Sequence, residues 1–221
     1  MRLNQFLAKH TALSRRSADE AIGSGRVKIN GEVAVVGQTI VEQDRVSMDD
    51  IDIVLQRTTT IMLNKPVKTI CSTAQQGNVP TVYSLLPESL QHLSYLGRLD
   101  KDTSGLLIMS NDGDLIQRIS HPSHKVDKQY LVQLDQTLSE DDQTKLEKGI
   151  MLDDGISALQ ITGRGRDWKV TIHEGRNRQI RRTFEALGYT VTKLRRQKIG
   201  KLDLGNLRTG EYRSITNEDV L

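Results

Sequence analysis

The sequence predicts a protein of mixed helices and strands, built in two parts. Three observations predict it. Leu106-Leu107-Ile108-Met109 is a short apolar run, preceded by Gly105 and closed by Asn111-Asp112-Gly113, the pattern of a buried strand. Lys128 to Leu134 alternates, with Tyr130 and Val132 on one face, as a half-buried strand does. Ile180, Phe184 and Leu187 recur at i, i+4 and i+7 between Arg178 and Gly188, which is the apolar face of a helix ended by a glycine.

The first part is expected over residues 1–56. Leu3, Phe6 and Leu7 share one face of a short helix. Thr11-Ala12-Leu13 breaks it, and Ser14 is a good N-cap for a second helix carrying Ala18, Ala21 and Ile22. That helix ends near Gly23-Ser24-Gly25. Arg26 to Ile29 alternates as a strand, and Asn30-Gly31 is a hairpin turn. Residues 57–60 form a short polar linker.

The second part is expected over residues 61–221. It opens with a strand at Ile61-Met62-Leu63 and the polar corner Asn64-Lys65-Pro66. Gly97 starts a turn, and Gly105 allows a second bend before the apolar run. Gly113 to Ile119 is a short helix stopped before His121-Pro122. Ser139 to Gly149 is a capped acidic helix whose surplus of carboxylates argues against RNA on that side. Ala158–Ile161 and Trp168–Ile172 are strands joined by a Gly/Arg turn, and a further strand runs from Tyr189 to Ile199.

Charge is unevenly placed along the chain. Fourteen Lys and Arg between Arg164 and Arg213 face five acids, so the rest of a chain of net charge +3 is acidic. A basic segment beside an acidic remainder points to a polyanion-binding face. Aromatic residues make up only 4%, too few for base stacking to dominate RNA binding. Cys71 is the single cysteine, which excludes an internal disulfide and a cysteine-based zinc site. No apolar run approaches signal or membrane-spanning length, so a cytoplasmic protein with no membrane partner is expected.

The most suggestive acid is Asp100, at the edge of the expected buried strand. Three readings compete for it. A turn aspartate can simply cap local amides. Asp100, Asp102, Ser104 and Gly105 also fall at positions 1, 3, 5 and 6 of an EF-hand loop, but Asn111 stands where the bidentate glutamate belongs. The third reading is a catalytic carboxylate. Spacing alone does not choose among them.

The stretch GRLDKDTSGLLIMSNDG, residues 97–113, closely resembles the central motif of pseudouridine synthases, in the Rsu-type branch that modifies ribosomal RNA. The resemblance implies that Asp100 is the catalytic residue. Asn64-Lys65-Pro66 resembles the first motif, where the lysine supports the active-site loop. Lys128-Gln129-Tyr130 resembles the second, which places Tyr130 over the target uracil as a candidate for proton transfer. Glu174 to Arg182 resembles the third, in which Arg181 pairs with the catalytic aspartate and Arg178 faces RNA. Lys193 to Arg196 resembles its continuation, with Leu194 against the uracil ring or Tyr130. Arg98 is expected to fill the space left by an extruded nucleotide. Residues 14–34 resemble the RNA-binding domain named after ribosomal protein S-four, making Arg15, Arg16, Arg26 and Lys28 expected phosphate contacts.

The fold implied by the resemblance is α+β: a mixed, mostly antiparallel central sheet in the catalytic domain, beside a small N-terminal α/β RNA-binding domain. The implied reaction turns uridine into pseudouridine in ribosomal RNA. It is an isomerisation, so no cofactor and no metal are required. A monomer is expected. The competing reading is a non-catalytic ribosomal-RNA-binding or chaperone protein. It has no need of Asp100, Tyr130 and Arg181 together. A calcium-binding module is a more distant third.

Overall fold

The computed structural model describes residues 1–11, 13–55, 57–120 and 126–220. The expected helix stop at His121-Pro122, Ala12 of the expected break, and Gln56 at the expected boundary lie outside the described residues. Helices α1 (Leu3–His10) and α2 (Arg15–Gly23) bury the faces expected of them, Leu3, Phe6 and Leu7 against Ala18, Ala21 and Ile22. Ser14 caps α2, its hydroxyl accepting from the Ser17 N–H at 3.1 Å. Strand β1 (Val27–Ile29) turns through Asn30 and Gly31, both at positive φ, into β2 (Glu32–Val33). That pair of positive φ angles suits the right-handed twist of the flanking strands. Two strands escaped the sequence reading, β3 (Val46–Met48) and β4 (Ile51–Asp52), joined by Asp49 and Asp50 at positive φ. Together these form an antiparallel sheet of order β2-β1-β3-β4 with its own apolar core.

The larger sheet begins with β5 (Thr60–Lys65), β6 (Ser94–Leu96) and β7 (Ser104–Ser110). Helix α3 (Gly113–Ser120), strand β8 (Lys128–Leu134) and helix α4 (Glu140–Lys148) follow. A small hairpin of β9 (Ile150–Leu152) and β10 (Gly155–Ser157) leads to β11 (Gln160–Arg164) and β12 (Asp167–Ile172). Helix α5 (Gln179–Glu185), β13 (Val191–Ile199), β14 (Leu202–Asp203) and β15 (Tyr212–Ser214) complete the chain. The strand order is β11-β12-β8-β13-β7-β5-β15, with β14 on β13 and β6 on β7. All of these pairings are antiparallel except β13 with β7, so the sheet is mixed and mostly antiparallel, as the resemblance implies.

Both faces of β7 are covered, which is why its sequence is continuously apolar rather than alternating. Leu107 and Met109 join Ile61, Leu63, Tyr130, Val132 and Leu194 under α5, which contributes Ile180 and Phe184. Leu106 and Ile108 face the other way, with Met62, Leu115 and Ile119. All four residues of the 106–109 run are 0% exposed. At about 1.5–3 kcal/mol for each fully buried aliphatic side chain, this strand is a rigid base for the loop before it.

Three expectations shift. The strand expected at 158–161 runs at Gln160–Arg164, because Gly163 continues the ladder: a Cβ there would lie 2.4 Å from the Asp167 carbonyl oxygen. The strand expected from Tyr189 starts at Val191, and the Tyr189 hydroxyl instead donates to Asp142 at 2.8 Å. Gly105 is not a bend between loop and strand but a residue within β7, at φ +107°, where a Cβ would lie 2.2 Å from the Arg196 carbonyl oxygen. It permits the close approach of β13 that forms the parallel pairing of β13 with β7.

Candidate active site

A single row of the large sheet gathers the polar groups. Lys65 lies opposite Gly105, Gly105 opposite Arg196, Arg196 opposite Tyr130, and Tyr130 opposite Val170. Directly opposed residues share a face of a sheet, so Lys65, Arg196 and Tyr130 line the same side. It is the side on which α5 packs and to which Leu194 contributes. Tyr130 and Leu194 are both buried in that core.

The Asp100 loop meets this row at Lys65 and is fixed through its backbone. The Lys65 amine is 0% exposed and donates to three carbonyls, of Thr103 at 2.8 Å, Pro66 at 2.9 Å and Asp100 at 3.1 Å. The Asp100 carbonyl also accepts from the Thr103 N–H at 3.1 Å, and the Lys68 N–H reaches the Lys101 carbonyl at 2.7 Å. The Leu99 N–H points at the Cys71 sulfur, 3.5 Å away. Burial pulls the Lys65 amine down to about 8, with Asp100 and Asp102 opposing. The carboxylate of Asp100 is left out of this network and stays 37% exposed.

Two arginines from α5 flank the loop. Arg178 takes a left-handed conformation, φ 46°, at the N-cap of the helix. Such a backbone costs a non-glycine residue of the order of 1 kcal/mol. Its guanidinium lies 3.1 Å from both oxygens of Asp102 and 3.9 Å from Asp100 Oδ2. Arg181 does not pair with Asp100. Its Nη1 donates to the Val191 carbonyl at 2.7 Å and its Nη2 to the Asp102 carbonyl at 2.9 Å, which leaves Nε 3.3 Å from Asp102 Oδ2. Two backbone acceptors therefore fix its guanidinium beside Asp102 rather than Asp100. Burial lowers the Arg181 pKa, Asp102 opposes that shift, and Arg178 reinforces it. Arg98 projects into solvent next to the loop.

Sequence reasoning named Asp102 only as an EF-hand position and Arg196 only as part of a motif's continuation, and gave neither a role in the site. Asp102 had a signal, its place two residues after Asp100 in the same turn. Arg196 had one too, because it stands two residues after Leu194 on a strand and shares its face. Among the described residues, no three His, Cys, Asp or Glu side chains converge as a metal site would need.

In the N-terminal part the four expected phosphate contacts divide into two kinds. Arg15 and Arg16 are exposed at the start of α2. Arg26 is paired with Asp49 at 2.5 Å and Lys28 with Asp50 at 2.6 Å, so these two cations are not free as expected. Both acids sit at the β3–β4 turn that the sequence reading missed. If Arg15 and Arg16 meet phosphates, replacing both with Ala lowers the log–log salt slope of RNA binding by ~0.7–0.9 for each phosphate no longer neutralised. The same measurement on Arg26→Ala gives a smaller change, since RNA must first displace Asp49. A slope unchanged by the double substitution removes α2 from the interface.

Comparison with known proteins places this geometry in a family. Residues 59–186 match the RNA pseudouridylate synthase family, and residues 1–46 match the S4 domain. The ribosomal large subunit pseudouridine synthase B of Bacillus subtilis is 34% identical, over 99% of this chain and 93% of its own. The ribosomal small subunit pseudouridine synthase A of Haemophilus influenzae is 36% identical, over 100% of this chain and 98% of its own. A crystal structure of a pseudouridylate synthase superposes with a TM-score of 0.72 at 34% identity, covering 100% of this chain and 98% of the other. A partly exposed aspartate on a loop clamped by a buried lysine and flanked by two arginines thus sits on the scaffold those proteins share, and the chain belongs to the RNA pseudouridylate synthase family.

Proposed function

We propose that the protein isomerises a uridine of ribosomal RNA to pseudouridine, with Asp100 as the reacting carboxylate. The observation that carries this reading is the division of labour within one loop. The backbone of residues 100–103 is held by the buried Lys65 amine, whose residue shares a sheet face with Tyr130, while the Asp100 carboxylate is left accessible. A turn aspartate that only capped amides would spend its carboxylate on them. The names of the B. subtilis and H. influenzae relatives support ribosomal RNA as the substrate.

In this reading the target nucleotide leaves its helix, because chemistry on a stacked base requires extrusion, and Arg98 takes the space it vacates. Asp100 either attacks C1′ or removes the C2′ proton. The N1–C1′ bond breaks, the base turns over, C5 bonds to C1′, and the C5 proton leaves. No group is imported and nothing is oxidised, so the proposed reaction requires no cofactor or metal. Arg178 and Arg181 hold the loop through Asp102, and Arg178 extends from there towards Asp100 and the RNA. Leu194 packs against the uracil or Tyr130. We assign residues 1–56 to RNA binding and 61–221 to catalysis, with 57–60, whose last residue Thr60 already begins β5, as the linker between them. Arg15 and Arg16, with Arg26 and Lys28 once freed from their acids, grip phosphates and position the RNA without reading its sequence. A chaperone that only binds RNA would leave the Asp100 carboxylate without a task.

The test is tritium release from ribosomal RNA transcripts labelled at uracil C5, small-subunit and large-subunit transcripts assayed separately. Release above background from one of them supports the reading, and none from either sinks it. Tyr130 refines the same assay. If its ring chiefly stacks on the base, worth ~1–3 kcal/mol, Tyr130→Phe keeps most of the rate and Tyr130→Ala does not. If its hydroxyl moves the C5 proton, directly or through a water, the two variants lose rate about equally. We expect a measurable loss in Tyr130→Phe under single-turnover conditions with saturating RNA. Wild-type rates in Tyr130→Ala return the residue to strand packing.

A further inference from the structure

We propose that Arg196 stabilises the uracil base as an anion during the reaction, its Nη2 donating to a carbonyl oxygen of the base. The inference rests on the isomerase reading above and assigns a role to a residue outside the expected site. Arg196 is 3% exposed and lies directly across from Tyr130 in the sheet. Its Nε donates to the Leu106 carbonyl at 2.7 Å, which anchors the guanidinium on the rigid strand β7. Its Nη2 is buried and has no hydrogen-bond partner among the described residues. A buried charged donor without an acceptor is costly, so this nitrogen is suited to a group that arrives with the substrate.

The surroundings strengthen the point. Lys65 and Lys128 share the neighbourhood, and each amine is depressed, chiefly by burial and further by the Arg196 guanidinium. Lys65 and Arg196 are thus two buried cations on one face of the sheet, while the half-buried Lys128 amine donates to the Val126 and His173 carbonyls. Asp100 and Asp102 offset Lys65, and Asp127 offsets Lys128. A buried guanidinium is favourable when negative charge appears beside it. The reaction supplies that charge. When the N1–C1′ bond breaks, its electron pair stays with the base, and the uracil monoanion spreads it over N1, O2 and O4. When C5 then bonds to C1′ the negative charge on the base is used up, and loss of the C5 proton is matched by uptake of a proton at N1, so the base ends neutral. Atoms and electrons balance without a further reactant. A donor held ready for the anion, and weakly used by the neutral base, accelerates the step.

The experiment compares single-turnover cleavage of the target N1–C1′ bond in two full-length RNA substrates, one with uridine and one with 5-fluorouridine at the target. Fluorine stabilises the base anion by itself and so reduces the need for the protein donor. Arg196→Gln should lose ~10²–10³ in rate on uridine RNA, as removal of a preorganised donor does, and about tenfold less than that on fluorouridine RNA. Arg196→Lys keeps the charge but not the planar reach, and should fall between wild type and Gln on both counts. It also carries the comparison if the Gln variant fails to fold. Equal losses on the two substrates, or no loss on uridine RNA, overturn the proposal and leave Arg196 a structural tie between β7 and β13. An inactive wild-type protein would overturn the isomerase reading instead, and this inference with it.

Discussion

Asp100→Asn should abolish pseudouridine formation while leaving RNA binding and folding intact. The amide is close in size and shape to the carboxylate but can neither attack C1′ nor remove a proton. Losing a covalent or acid–base catalyst costs at least ~10²–10⁴ in rate. The fold should not notice, because the loop is held through the Asp100 carbonyl and not through its carboxylate, whose nearest cation among the described residues, Arg178, is 3.9 Å away. Tritium release, RNA affinity and thermal unfolding measured side by side separate these effects. Turnover near that of wild type would remove Asp100 from the chemistry. A large fall in thermal stability would show instead that the carboxylate is a structural group.

Lys65→Met should be the more damaging change to the protein as a whole. It removes the donor to three carbonyls, two of them in the Asp100 loop. Each buried acceptor left unsatisfied costs about 1–3 kcal/mol, opposed by relief from burying an ammonium, for a net loss on the order of 3 kcal/mol. Activity should fall with it, because the loop no longer presents Asp100 in one place. Lysine has a distinctive pH signature here. Its pKa in the folded protein is about 8, below the ordinary lysine value, so between the two the unfolded chain binds more protons than the folded one. Wild-type stability therefore contains a contribution that is complete above the ordinary lysine range and is lost as pH falls through about 8. Urea unfolding from pH 7 to 10.5 should show this rise in wild type and not in Lys65→Met. Parallel pH profiles would mean that Lys65 is not held as described.

Local signals in the sequence carried much of this fold. Ser14 caps a helix because its side chain and the Ser17 N–H are neighbours in sequence. Asn30-Gly31 turns because those residue types tolerate positive φ. The 106–109 run stands out because a strand covered on both faces has no reason to alternate. Strands β4, β6 and β9 carry no such mark, being two or three residues long. The hardest features to read were those made by pairing across long distances. Gly105 looks like a bend until β13 is placed beside it, about ninety residues on, and Arg196 looks like one more basic residue of a basic segment.

The candidate site divides in the same way. Asp100, Tyr130 and Arg181 could be named from the motifs that hold them. The acid beside Arg181 could not, because it is chosen by two backbone carbonyls, of Val191 and Asp102, that only the folded chain brings together. The pairing of Arg26 and Lys28 with Asp49 and Asp50 was hidden for a related reason, since the turn carrying both acids lacks the usual Asn-Gly mark.

The account is tested most directly by mapping pseudouridines in both ribosomal RNAs of a strain lacking this protein, complemented in turn by wild type and by Asp100→Asn. It predicts that at least one pseudouridine disappears, that wild type restores it, and that Asp100→Asn does not. An unchanged pseudouridine map, or restoration by Asp100→Asn, would contradict it.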